Sequence, residues 1–266
     1  MPIIRIIDVD DPCIAPFRNI RERDLVGRAG QFIAEGKTVL SVLLKQSKFR
    51  TLALLLAEDR VRSIEPVLER LDEAVPVYVA PQKVLDGIAG FSMHRGVLAL
   101  GARESPLSAE TLLRGLGAEA RVIVLIGIAN HDNMGGLFRN AAAFGADAVL
   151  IDGTSCDPLY RKAIRVSAGG VLTVPFARLA AEEDPVALLS ARGFACFALS
   201  PAGALDLSIL HDAGRLSFFF GAEGAGLPQS ILERVKTVRI AMAEGMDSLN
   251  VATASGIVLH HFMRGA

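Results

Sequence analysis

A chain of 266 residues, 51% apolar and 21% charged, can build one large domain or two modest ones around a sizeable core. No apolar run reaches the roughly 18 residues of a membrane span, and a formal net charge of −1 does not by itself advertise a polyanion partner. MPIIRIIDVDD turns acidic by Asp8, so no secretory signal is expected, and the widely spaced Cys13, Cys156 and Cys196 fit free thiols in a reducing cytoplasm.

In chain order, the first block alternates short apolar runs with amphipathic ones. QFIAEG (31–36) predicts a strand, KTVLSVLLKQ (37–46) a helix and TLALLLAED (51–59) a buried strand. IEPVLERLD (64–72) predicts a helix, VPVYVAP (75–81) a strand, KVLDGIAGF (83–91) a helix and GVLALGA (96–102) a strand. This pattern gives a small α/β sandwich, beginning near residue 17, in an N-terminal domain over 1–103. Residues 104–120, charged and carrying Pro106, Gly115 and Gly117, read as a linker.

The second block, 121–266, repeats the alternation with longer runs. RVIVLIGIA, DAVLID, TVPFA, ACFAL, SFFFGAE and VRIAM predict six strands, and SLNVATASGIVLHHFMR a closing helix. Continuous apolar strands alternating with helices imply an α/β fold with a mostly parallel sheet and helices on both faces. Ligands of such sheets bind beyond the C-terminal strand ends. There lie NHDNMGG, SPAGA, GAEGAGLP and AEGMDSLN, more polar and glycine-rich segments than connection alone requires.

Charge is unevenly distributed. Residues 17–50 carry eight Arg and Lys against three acids, a net +5, and Arg161, Lys162 and Arg165 follow later with no acid among them. A solvated helix face and a polyanion contact both account for such clusters.

Three constellations stand out. In NHDNMGGLFRNAAAFGA (130–146), a helix over 135–145 places Gly135, Gly136, Ala142 and Ala143 around Arg139. The guanidinium is then unobstructed and has no acid partner at i±4, while Asn133 is the expected N-cap. In FFFGAEGAGLP (218–228), Glu223 is the single charge and the glycines are spaced G-x-x-G-x-G, the reverse of the dinucleotide fingerprint. A nicotinamide enzyme is therefore not supported. In IAMAEGMDSLNVATASGIVLHHF (240–262), Asp247 or Ser248 is the expected cap of a helix rich in small residues. His260 and His261 lack metal-pair spacing, no H-E-x-x-H or C-x-x-C occurs, and no metal is expected. The absence of G-x-S-x-G argues against a serine hydrolase.

Together these segments resemble, in order and spacing, the three motifs of the SpoU (TrmH) family of RNA ribose 2′-O-methyltransferases in the SPOUT superfamily. Asn133, Gly135 and Arg139 match the first motif, Phe218 to Pro228 the second, and Ile240, Met242, Gly245, Ser248, Leu249 and Asn250 the third. Two positions depart from the pattern: Asn130-His131 replaces the usual Asp-Pro, and Ala241 the usual proline. GRAGQFIAEGKTVLSVLL and FSMHRGVLAL also look like the family's N-terminal RNA-binding domain, which resembles a small ribosomal protein.

The resemblance implies a deep C-terminal trefoil knot, an exception to the usual connection rules, and a cytoplasmic homodimer with its site near the subunit interface. It implies S-adenosyl-L-methionine as methyl donor, held near Ser200, Gly221, Ile240, Met242 and Leu249. It implies ribosomal RNA as substrate, with transfer RNA methylation or a non-catalytic RNA-binding role as alternatives. It assigns Arg139 to activation of the ribose hydroxyl. A guanidinium holds its proton too firmly to be a good base, so a phosphate clamp and alkoxide stabiliser is the better physical role. Asn133, Ser248 and Asn250 would orient the ribose or shape the loop, and Glu223 would hold Arg139 or the knot loops. Arg161, Arg165 and Ser167 are expected RNA contacts.

Overall fold

The computed structural model describes residues 3–18, 30–89, 95–103, 105–211 and 214–263. Arg21, Arg23 and Arg28 of the basic stretch, and Phe91 to His94 of the second N-terminal segment, lie outside the described residues. The chain divides into two compact units, Met1–Ser105 with Asp157–Thr173, and Pro106–Cys156 with Val174–Ala266.

Among its described residues the first unit is built on five strands, β1 (Ile3–Arg5), β2 (Gln31–Glu35), β3 (Arg50–Ala57), β4 (Val77–Ala80) and β5 (Val97–Ala102), in the order β1-β4-β3-β5-β2. β1, β4 and β3 run parallel, whereas β5 is antiparallel to both β3 and β2. Its helices are α1 (Lys37–Lys45), α2 (Val61–Leu68) and α3 (Gln82–Ala89). Leu54, Leu55, Leu56 and Ala57 are all buried, which is why the LALLLA run has no polar alternation. α1 buries Val39, Leu40 and Leu43, one stripe of an amphipathic helix. β1 was not anticipated. All three of its residues are exposed, so no hydrophobic alternation marks it, and backbone pairing to β4 alone defines it.

Among its described residues the second unit carries seven parallel strands: β6 (Ala120–Leu125), β7 (Ala148–Ile151), β8 (Phe176–Arg178), β9 (Ala195–Leu199), β10 (Leu205–Asp206), β11 (Arg215–Phe220) and β12 (Lys236–Arg239). Their order is β10-β12-β9-β11-β6-β7-β8. The remaining helices are α4 (Ala109–Arg114), α5 (His131–Ala143), α6 (Arg161–Val166, part of the first unit), α7 (Pro185–Ser190), α8 (Gln229–Leu232) and α9 (Val251–His261). Val122, Val124, Leu150 and Phe219 pack with Leu112 and Leu113 of α4, Leu189 of α7 and Ile231 of α8. On the other face Phe138 of α5 meets Phe176, and Phe218 meets Phe262 at the end of α9. The sheet is thus covered on both sides.

Three expectations need correcting. Residues 104–120 are more than a linker, because α4, capped by the Ser108 hydroxyl, buries Leu112 and Leu113 in the core. The flanking charges and glycines hid this short amphipathic helix. The last strand ends at Arg239, and Ile240 to Met242 leave the sheet. Both site helices start elsewhere than expected: Asn130 caps α5, leaving Asn133 buried in its first turn, and Asn250 caps α9.

Asp152, just beyond β7, ties the strand-end loops together. Its carboxylate accepts from the Thr154 and Ser155 hydroxyls and from the Gly127 and Ser155 N–H groups. Burial alone would raise its pKa, but these hydrogen bonds prevail and hold it below the usual carboxylate value. A depressed folded-state pKa stabilises above the unfolded carboxylate value and is lost as pH falls through the folded one. We expect Asp152→Asn to cost about 1–3 kcal/mol at neutral pH. In urea denaturation the gap to wild type narrows as pH falls below about 4; a pH-independent gap would contradict this.

Candidate functional site

The strand order places β12, β9, β11 and β6 side by side, and because all four run parallel their C-terminal ends open in one direction. The segments leaving β9, β11 and β12 there enclose a cavity of about 480 Å³, within the usual size range of small-molecule sites. Ser200, Gly221, Ile240, Met242 and Leu249, the five residues assigned to a methyl donor, all line it.

The Gly221–Pro228 loop turns tightly. A Cβ on Gly221 would lie 2.3 Å from the carbonyl carbon of Gly226, and Ala222 bridges to Gly226. This compression places Glu223 at the cavity wall.

One amide joins the three constellations. Asn250 Oδ1 caps α9 by accepting from the N–H groups of Ala252 (2.9 Å) and Thr253 (3.3 Å). Its Nδ2 donates to Asn133 Oδ1 at 2.9 Å and to Glu223 Oε1 at 3.1 Å. The start of α9, the first turn of α5 and the glycine loop thereby hold one another. Ser248 also lines the cavity, exposed, but takes no part in this network.

Arg139 stands apart. It is exposed on α5, outside the cavity lining, and no hydrogen bond or ion pair joins it to another described residue. Of the two expected roles of Glu223, holding Arg139 is therefore not met; its carboxylate is engaged by Asn250 and ties the glycine loop to the start of α9. The small neighbours of Arg139 leave the guanidinium available to an incoming anion.

The expected RNA contacts fare differently. Arg161 and Arg165, one turn apart on α6, flank the carboxylate of Glu35 at 4.0 and 3.6 Å. Glu35 is only 4% exposed. Ser167, at 2% exposure, donates to the Ile164 carbonyl and accepts from the Val171 N–H. It is a buried cap of α6 and presents no surface to RNA. The two arginines retain about a third of their side-chain surface but also compensate a buried charge. Removing one partner leaves that charge poorly paired. In urea denaturation, a cycle of Arg165→Ala and Glu35→Gln is expected to show a favourable coupling of about 0.5–3 kcal/mol; strict additivity would show that the pair is idle.

Glu35 and Asn140 carry no local signal of their roles, because their partners lie more than a hundred residues away in the chain. Among the described residues no group of three or more His, Cys, Asp or Glu could hold a metal ion, and no helix is long and apolar enough to cross a membrane.

Comparison with known proteins accords with this architecture. The model of the SpoU rRNA Methylase family matches residues 120–260. An uncharacterized tRNA/rRNA methyltransferase of Mycobacterium tuberculosis is 38% identical over 272 residues, covering 97% of this chain and 91% of that protein. The 23S rRNA (guanosine-2′-O-)-methyltransferase RlmB of Ralstonia nicotianae is 30% identical over 78% of this chain and 85% of its own length. Among solved structures, an AdoMet-bound rRNA methyltransferase from Sinorhizobium meliloti superposes with a TM-score of 0.80 at 24% identity, covering 97% of both chains. The SpoU methyltransferase AviRb from Streptomyces viridochromogenes gives 0.81 at 19% identity, over 95% of this chain and 97% of that one. Fold and motif-bearing loops together place the protein among RNA methyltransferases. The chain belongs to the SpoU family.

Proposed function

We propose that this protein transfers a methyl group from S-adenosyl-L-methionine to a ribose 2′-hydroxyl of structured RNA, with ribosomal RNA the preferred substrate. The observation that carries the reading is the cavity whose wall is fixed by the Asn133–Asn250–Glu223 network, in the same unit as an exposed Arg139 that is unpaired among the described residues. The cavity's size and its mix of apolar wall and carboxylate fit an adenosine carrying a cationic sulfonium. When bound, S-adenosyl-L-methionine supplies an electrophilic methyl group.

The chain's own residues would then orient and stabilise. Ser200, Gly221, Ile240, Met242 and Leu249 hold the donor. Asn250, locked by Asn133 and Glu223, fixes the loop that covers it, and Ser248 faces the ribose. Arg139 clamps the neighbouring phosphate and stabilises the alkoxide that develops as the hydroxyl loses its proton.

The reading includes a homodimer in the cytoplasm and a C-terminal trefoil knot. Ile257 on α9 and Met263 just beyond it are exposed apolar residues that a second copy would cover. The chain leaves β12, beyond β9, and returns to α9 against α5, a path compatible with threading. Arg161 and Arg165 contribute to RNA contact with the charge Glu35 leaves uncompensated.

The likeness to an enzyme named for 23S rRNA favours ribosomal over transfer RNA. The test is methyl transfer from labelled S-adenosyl-L-methionine to separate pools of unmodified ribosomal and transfer RNA, with the label located by nuclease digestion. Label on a ribose 2′-oxygen of ribosomal RNA is the expected result. Absence of both transfer and donor binding would favour the non-catalytic RNA-binding reading, whereas donor binding without transfer to either pool would point to a precursor RNA or a missing partner.

A further inference from the structure

We propose that Asn140 is a positioning residue that sets how α9 lies against α5 and, through α9, the wall of the donor cavity. The inference rests on the methyl-transfer reading and deepens it.

The two helices meet through small residues. A Cβ on Gly136 would lie 2.6 Å from the Ala252 Cβ, so the backbones approach as closely as glycine allows. Such a smooth contact has little to resist sliding. One turn along, Asn140 supplies what is missing. Its amide sits over Gly256, where a Cβ would come within 3.2 Å of Nδ2. Asn140 Nδ2 donates to the Ala252 carbonyl at 2.5 Å and to Ser255 Oγ at 2.9 Å. The fully buried Ser255 hydroxyl donates to the same carbonyl at 2.8 Å. Both donor hydrogens of one amide therefore end on α9, and a slide of one helical residue, about 1.5 Å, stretches or misaligns both bonds.

The anchored residues alternate with functional ones. Val251 and Ala254 line the cavity, and Asn250, two residues before Ala252, makes the bridge to Asn133 and Glu223. Asn140 itself does not line the cavity. It acts on the donor only through α9. The chemistry requires a donor at this position: an aspartate would set carboxylate oxygens against the Ala252 carbonyl, and the two would repel.

The test is calorimetric titration of the full chain with S-adenosylhomocysteine, without RNA, alongside thermal melting. Asn140→Asp is expected to weaken binding about tenfold, and Ser255→Ala, which keeps one of the two acceptors, about threefold. Asn140→Ala combined with Ser255→Ala should cost less than the sum of the single changes. A merely structural residue would lower the melting temperature and leave the affinity of the folded protein unchanged. Should Asn140→Asp not fold, Ser255→Ala and Asn140→Ala carry the test. Wild-type binding with variants within about twofold of it overturns the anchor alone. Failure of the wild type to bind overturns the methyl-transfer reading and the anchor together.

Discussion

Arg139→Ala lowers the rate of methyl transfer by about 10²–10³-fold, the usual effect of removing one preorganised stabiliser of developing oxyanion charge. Affinity for S-adenosylhomocysteine stays within about twofold of wild type, because Arg139 neither lines the cavity nor bonds to a residue that does. The two readouts separate the roles cleanly. A guanidinium is a poor general base. As a clamp it need only be cationic, planar and unobstructed, and Gly135, Gly136, Ala142 and Ala143 leave it so. Arg139→Lys keeps the charge but loses the fork, and should recover only part of the rate. The clamp also leaves a signature in binding. Losing one phosphate contact reduces the salt slope of RNA affinity by about 0.7–0.9. Transfer within tenfold of wild type in Arg139→Ala would sink the assignment.

How much of this was legible in the sequence depended on the distance between partners. Six strands of the second unit were readable, most clearly β6 and β11, where burial on both faces leaves uninterrupted apolar runs; the two-residue, half-buried β10 carries no such run and was not anticipated. The cavity-lining residues followed from the family resemblance; the alternation of strands and helices by itself said only that the polar loops gather at one end of the sheet. The capping residues were misplaced by two or three positions. NHDN and DSLN each offer several side chains able to cap, and only the helix's tertiary seat selects among them. Asn133 and Asn250 were named, but their bond to each other spans 117 residues and no local pattern encodes it. The assignment of Arg161 and Arg165 to RNA failed to foresee Glu35 for the same reason. A basic cluster in sequence says nothing about a buried acid folded beneath it. Ser167 was misread because a short hydroxyl at a helix end bonds its own backbone as readily as a ligand.

Gly221→Ala abolishes measurable donor binding, weakening S-adenosylhomocysteine affinity by more than about 100-fold while costing about 1–3 kcal/mol of stability. The reason is backbone against backbone. The added Cβ would lie 2.3 Å from the Gly226 carbonyl carbon and 2.4 Å from the Leu227 nitrogen, and no side-chain rotation relieves either clash. Relaxation on the far side is blocked, since Leu227 is packed in the core with Phe219 and Ile231. The loop must therefore open on its near side, carrying Glu223 away from Asn250 and widening the cavity that Gly221 itself lines. Gly224 in the same loop is the control. Its φ is +82°, yet a Cβ there meets nothing within 4 Å. Gly224→Ala pays only the left-handed strain of about 1 kcal/mol, and donor affinity should fall by less than about tenfold. Calorimetry on the two variants thus separates a loop that must be closed from one that merely contains glycine. Equal effects at both positions would show that flexibility, not the close approach at Gly221, shapes the site.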